Sequence, residues 1–195
     1  MNLTERTEEN FNASIQTKKM ALPLLAEPIA EAAELIVCRL LDGAKVLCCG
    51  SGAGALHAQH FAMMMLNRFE RERPGLPALA LSAGSATLTS IADDYSLDEM
   101  FAKQITALAH PGDLLLAITG DGRGDSIGAA VEAAHERDMF VLALTGNGTG
   151  RLEGLLRETD IHLPAPSESA ARVQELHLLS LFCICDLIDR QLLGN

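Results

Sequence analysis

The chain has 195 residues, 48% of them apolar and 21% charged, with a mean hydropathy of +0.17, enough for one domain with a full core and rich in apolar residues for an isolated subunit. Its 26 acidic and 15 basic residues give a formal charge of −11, which argues against direct contact with nucleic acid or an anionic membrane, because phosphate surfaces are read by clustered Lys and Arg. No uncharged stretch reaches the length of a membrane span.

The first ten residues are polar and acidic, unlike a signal peptide, and residues 5 to 41 follow with an apolar pattern of helical period. Pro23 and Pro28 each remove a backbone donor from that pattern, so two helices are expected there rather than one. Asp42-Gly43 ends the second, and Ala44 opens the first strand. The apolar run Val46-Leu47-Cys48-Cys49 leads into Gly50-Ser51-Gly52-Ala53-Gly54, and an Ala- and Met-rich helix runs on to about Arg71, before Pro74. Further strands are expected at Leu76 to Ser82, Leu114 to Thr119, Phe140 to Thr145 and Ile161 to Leu163. Helical segments alternate with them at Ser85 to Asp93, Leu97 to Ala109, Asp125 to Arg137 and Gly150 to Arg157. The four longer strand runs are apolar throughout, which indicates strands covered on both faces and so a parallel sheet in a three-layer α/β/α sandwich. The last helix, about Ser169 to Leu193, carries apolar residues on nearly every face. Such a helix is buried all round, most readily between its own sheet and a neighbouring subunit, so a homo-oligomer held by helical packing is expected.

Ligands in sheets of this kind sit beyond the carboxyl ends of the strands. Three glycine-rich loops lie there: Gly50 to Ala55, Thr119 to Gly124 and Thr145 to Gly148. In the first, glycines and a helix N-terminus favour an anion site, while a close-packed strand-to-helix turn without a ligand explains the same residues. Ala55 breaks the G-x-G-x-x-G dinucleotide pattern, and the lysine and Ser/Thr of a P-loop are absent. The five cysteines, Cys38, Cys48, Cys49, Cys183 and Cys185, fall within expected helix and strand interiors with no C-x-x-C, as reduced thiols of a cytoplasmic protein would. His57 and His60, three apart on a helix, and His177, beside Gln174, have no partners from which spacing would assemble a catalytic group. The alternating charges from Arg68 to Arg73 read as a solvated face.

Several segments together resemble the sugar isomerase (SIS) domain family, in its branch of phosphoheptose isomerases and DnaA initiator-associating proteins. They are Cys49-Gly50 with Ala58-Gln59-His60-Phe61, Asn67 to Pro74, Thr89-Ser90-Ile91-Ala92 with Asp94-Tyr95, Gly112 to Ile118, Ala143-Leu144-Thr145-Gly146, Arg172 to His177, and Cys185 to Asp189. The resemblance covers almost the whole chain. It implies a five-stranded parallel flavodoxin-like sheet, residues 1–43 as oligomerisation helices on a single α/β domain of residues 44–195, and a homotetramer.

The resemblance also implies a phosphosugar pocket, corresponding here to Ser51, Gly52, Ala53, Asp93, Asp94, Thr119, Gly120, Asp121, Gly124 and Gln174. Members that isomerise phosphoheptoses use a glutamate and a second histidine for proton transfer, commonly with zinc; those positions are Met64 and Phe182 here. A thioether transfers no proton, and His60 with Gln174, the two remaining zinc positions, is too small a donor set, so no catalytic residue, metal or other cofactor is assigned. Asp121 brings a carboxylate to the phosphate loop, where two like charges at about 4 Å cost roughly 4 kcal/mol at an effective dielectric of 20, and Arg123 offsets part of that. The expected function is therefore a non-catalytic tetramer that regulates replication initiation by binding the N-terminal domain of DnaA. The C-terminal pair Leu192-Leu193 is its contact, or else a helix end packed on its own subunit. The alternative is a phosphoheptose isomerase acting on sedoheptulose 7-phosphate, or another phosphosugar isomerase or binding protein.

Overall fold

The computed structural model describes residues 2–120, 124–148 and 150–194. Five parallel strands, β1 (Val46–Gly50), β2 (Ala78–Ala80), β3 (Leu114–Ile118), β4 (Phe140–Thr145) and β5 (Ile161–Pro164), form one sheet in the order β2-β1-β3-β4-β5. Val46 pairs with Ala78 on one side and Leu114 on the other, Leu114 with Phe140, and Leu142 with Ile161. Every residue of β1 and β3 is buried, as their unbroken apolar runs require. β2 is shorter than its apolar run because it is an edge strand entered from Pro77; Leu79 is 43% exposed, so only one of its faces is covered.

Side chains alternate between two cores. Val46, Cys48, Leu116 and Leu144 point to a layer of α1 (Leu3–Leu41), α2 (Ala53–Leu66) and α6 (Ala170–Leu193). Leu47, Cys49, Leu115 and Val141 point to the opposite layer, which contains α4 (Ala102–Leu108) and α5 (Asp125–Glu136). α3 (Ser85–Asp94) precedes that layer in the chain and contributes no buried residue. The result is the three-layer flavodoxin-like sandwich. Three expected helices differ in detail. α2 ends at Leu66, capped by Asn67, rather than at about Arg71. Residues 97–109 divide into a 3-10 turn at Leu97–Glu99 and α4, and Gly150–Gly154 is a 3-10 turn rather than the start of a helix to Arg157.

The N-terminal segment is one helix, not two. Pro23 and Pro28 lie inside α1, but they avoid the buried stripe of Ala21, Leu25, Ile29, Ala32, Ala33, Ile36 and Val37. The carbonyls they leave without donors, four residues earlier at Lys19 and Leu24, belong to exposed residues open to solvent, while the stripe holds the helix continuous against α6. Near the start of α1, Ser14 donates to Glu175 at 2.6 Å and Arg172 donates to the Asn10 carbonyl at 2.6 Å. Phe11, Leu22 and Leu24 remain more than half exposed. α6 buries Val173, Leu176, His177, Leu181, Ile184, Cys185 and Ile188 along one side. Its other side, with Leu179, Phe182, Cys183 and Leu187, joins α1 in an apolar groove of about 540 Å³. No helix among the described residues is long and apolar enough to cross a membrane.

Two side chains lie elsewhere than expected. Cys38 is exposed, on the outer side of α1, whereas Cys48, Cys49 and Cys185 are buried and Cys183 is partly so. Arg73 is not on a solvated face. It pairs with Asp189 at 2.6 Å, both side chains being no more than 2% exposed, and donates to the carbonyls of Met64, Met65 and Pro74. It thus satisfies carbonyls at the end of α2 while anchoring them to α6.

Candidate functional site

The strand order reverses at β1, whose neighbours β2 and β3 lie on opposite sides, so the crevice beyond β1 and β3 is where an α/β sheet accommodates a ligand. The loop leaving β1 is shaped by backbone packing. A Cβ on Gly54 would lie 2.5 Å from the Ile118 carbonyl oxygen, and Gly52, which precedes the first residue of α2, has φ +56, a value that favours glycine. α2 therefore starts close against β3, and its first residues face the crevice. Ser51 Oγ lies 3.4 Å from Ser126 Oγ in the first turn of α5, which brings the N-termini of α2 and α5 together.

These loops enclose a cavity of about 480 Å³. Ser51, Ala53 and Gly54 supply one wall, Gly120 and Asn147 to Gly148 another, and Glu168, Gln174 and His177 close it from the side of α6. Asn147 donates its side-chain amide to Glu168 across the entry to α6. All three glycine-rich loops thus meet at one place.

Two histidines form the inner wall. His177 is 3% exposed, and its Nε2 lies 2.9 Å from the Thr145 carbonyl oxygen. A carbonyl only accepts, so Nε2 carries the proton and Nδ1 is left as a lone pair. Burial lowers the His177 pKa from the ordinary 6.5 to about 4. The His57 ring stands edge-on to it, centroids 6.2 Å apart at 81°. His57 Nδ1 is buried without a hydrogen-bond partner among the described residues, and burial, followed by the nearby His60, lowers its pKa. Behind the wall, the Thr145 hydroxyl lies 2.8 Å from His162 Nε2. The wall is consequently polar and uncharged at neutral pH.

Of the residues expected to form a pocket, Ser51, Ala53, Gly120 and Gln174 line this cavity. Gly52 caps α2, Thr119 is buried at the end of β3, and Gly124 precedes α5. Asp93 and Asp94 end α3, exposed and outside the cavity wall. Asp121 and Arg123 lie outside the described residues. His60 is not in the cavity wall that Gln174 lines: its ring packs edge-on against Phe182 at 5.6 Å, and Phe182 stacks on Phe69 at 5.8 Å. Met64 is 3% exposed in the core. With a thioether at Met64 and a phenyl ring at Phe182, where the family resemblance calls for carboxylate and imidazole donors, these residues do not fit zinc, and among the described residues no group of three or more His, Cys, Asp and Glu is placed to hold a metal. At the C-terminus, Leu192 packs on the core and Leu193 is 38% exposed. Sequence reasoning found Gln174 with His177 one turn on, but not the contact of His177 with His57 or the Arg73–Asp189 pair.

Comparison with known proteins places these features. Residues 10–146 match the family model described as SIS domain. A phosphoheptose isomerase from Alkalilimnicola ehrlichii is 52% identical over the full length of both chains, and one from an Azoarcus species is 50% identical over 100% of this chain and 98% of its own. Among solved structures, phosphoheptose isomerase from Francisella tularensis superposes with a TM-score of 0.94 at 43% identity, covering 97% of this chain and 100% of its own, and that from Neisseria gonorrhoeae with 0.91 at 41%, covering 96% and 99%. With the five-stranded parallel sheet, the crevice beyond β1 and β3, and full-length identity of about half, the chain belongs to the SIS domain family.

Proposed function

We propose that this chain is a phosphosugar protein of the phosphoheptose isomerase type, which takes sedoheptulose 7-phosphate or a closely related phosphosugar into the cavity beyond β1 and β3. The observation that carries the reading is the convergence of three glycine-rich strand ends and α6 on one polar cavity, in a chain about half identical from end to end to phosphoheptose isomerases. Ser51, Gly52, Ala53, Thr119, Gly120, Asp121 and Gly124 are the loop residues assigned to the phosphate end, with Gln174 toward the sugar. The adjacent N-termini of α2 and α5 favour an anion there. Asp93 and Asp94, which the family resemblance sets in the pocket, are exposed at the end of α3 outside the cavity wall and are left out of this assignment.

A second reading is favoured by Met64 and Phe182. Aldose–ketose isomerisation moves a proton between adjacent carbons, and the two positions that perform it in the family hold side chains that do not titrate. In this reading the chain keeps the pocket and the fold but acts through partners, binding the N-terminal domain of DnaA through Leu192-Leu193. In both readings the exposed apolar residues of α1 and the groove beside α6 support a homo-oligomer, with a tetramer implied by the family.

The experiment is a coupled assay of purified protein with sedoheptulose 7-phosphate, with and without added zinc, beside a calorimetric titration of the same compound. Turnover supports the isomerase. Binding without turnover supports a phosphosugar-responsive protein, and binding to the DnaA N-terminal domain that weakens in the Leu192→Ala/Leu193→Ala variant supports the second reading. Neither binding nor turnover of any phosphosugar refutes the first.

A further inference from the structure

His57 and His177 are polar groups in the cavity wall that the expected proton-transfer positions do not use, and their hydrogen bonding limits what each presents to a ligand. His177 commits Nε2–H to the Thr145 carbonyl, so its only free function is the Nδ1 lone pair. Thr145 is itself fully buried at the end of β4, which holds the ring in place. His57 has the opposite constraint. Its Nδ1 is sealed from solvent with no partner among the described residues, so a proton there would be a buried donor without an acceptor; the neutral ring keeps its proton on Nε2 and offers a donor. The ring centroids are 6.2 Å apart, edge to face, and both residues line the cavity, a spacing that suits one hydroxyl or hydroxyls on adjacent carbons.

We propose that His57 and His177 form a polyol-recognition pair, His57 donating to and His177 accepting from sugar hydroxyls, which selects the sugar part of the ligand while the strand-end loops hold its phosphate. This rests on the phosphosugar reading above and assigns the specificity within it. A hydroxyl is both donor and acceptor and satisfies the two imidazoles together. A carboxylate or a phosphate oxygen accepts only and leaves the His177 lone pair facing a lone pair. An alkyl group satisfies neither. Because burial keeps both rings neutral, the pair adds no charge that would draw inorganic phosphate away from the loops.

The test compares wild-type protein, His57→Phe and His57→Gln in calorimetric titrations with sedoheptulose 7-phosphate and with inorganic phosphate. His57→Phe fills similar space but removes the donor; His57→Gln keeps an N–H near the position of Nε2. The expected result is a loss of about tenfold in phosphosugar affinity for His57→Phe, the worth of one hydrogen bond, with His57→Gln within about threefold of wild type and inorganic phosphate unchanged in both. Nitrogen NMR of the histidines supplies a reading free of ligand, with the proton expected on Nε2 in both rings. Equal phosphosugar affinity in His57→Phe, an equal loss for inorganic phosphate, or a proton on Nδ1 of His57 overturns the pair and leaves the phosphosugar reading standing. If wild-type protein binds no phosphosugar, the reading and the pair fall together. Circular dichroism melts of the three proteins separate lost contact from lost fold.

Discussion

The Arg73–Asp189 pair offers the largest single perturbation that leaves the cavity lining untouched. Asp189→Ala removes the one carboxylate among the described residues that is bonded to Arg73, whose side chain is 1% exposed, and leaves a buried guanidinium with three carbonyl acceptors. Breaking a buried ion pair on one side costs about 3–5 kcal/mol, because the remaining charge is uncompensated. Arg73→Met is expected to cost at least as much, since it strands Asp189 and also removes the donors to the Met64, Met65 and Pro74 carbonyls. Asp189→Asn keeps an acceptor for Arg73, and Asp189 Oδ2 already has no partner among the described residues, so about 2 kcal/mol is expected there. At about 2–4 °C per kcal/mol for a chain of this size, Asp189→Ala lowers Tm by roughly 6–20 °C. Thermal melts at fixed protein concentration give the order, and the Arg73→Met/Asp189→Leu double variant, with the charges removed together, is expected to recover much of the loss. Changes below about 1 kcal/mol in both Asp189→Ala and Arg73→Met would refute the reading of Arg73 as a buried anchor.

Stability should also respond to His177. Its folded pKa of about 4 lies below the ordinary 6.5, so the unfolded chain takes up the proton first as pH falls. Its contribution is fully present above pH 6.5 and is lost progressively toward pH 4, about 3 kcal/mol in total; the difference between urea unfolding of wild-type protein and His177→Gln at pH 7.5, 6 and 4.5 measures it, and a difference that does not change with pH would contradict the burial. Gly54→Ala places a Cβ against the Ile118 carbonyl, a backbone clash that must push α2 from β3; a loss of about 2 kcal/mol or more and weakened ligand binding are expected, and an unchanged melt would count against the close approach. Met64→Glu buries a carboxyl in the core, so a loss of about 3 kcal/mol is expected that deepens as pH rises through its raised pKa, without gain of isomerase activity, because Phe182 still stands at the second position; recovery of turnover would refute this.

The parts of the fold that could be read from the chain are those in which one physical cause acts alone. β1 and β3 are apolar because both their faces are covered, and the three glycine-rich segments mark the strand ends where backbone must approach backbone. The prolines of α1 misled because their cost depends on which side of the helix they occupy, and the face is settled by packing against α6. β2 has the composition of a central strand but lies at the edge, where Leu79 faces outward. Arg73 sits in a run of alternating charge that resembles a solvated surface, and its partner is 116 residues away, so nothing local distinguishes it. The histidine pair was hidden for the same reason. His57 has its significance only once α6 brings His177 against it, whereas Gln174 and His177, one turn apart, could be placed together from spacing alone.

α6 serves two surfaces at once. Within two turns Val173, Gln174 and His177 face the cavity, while Leu176, Leu179 and Ser180 face the apolar groove. A rigid rod shared in this way makes its two sides thermodynamically linked: whatever covers the groove fixes the position of the residues that meet a ligand, and a ligand that favours one placement of the rod changes the free energy of covering the groove by the same amount. Self-association through the groove and occupancy of the cavity would then be reciprocal. Titrating phosphosugar while following subunit dissociation by sedimentation would read that linkage directly, as a shift of the dissociation midpoint with ligand concentration.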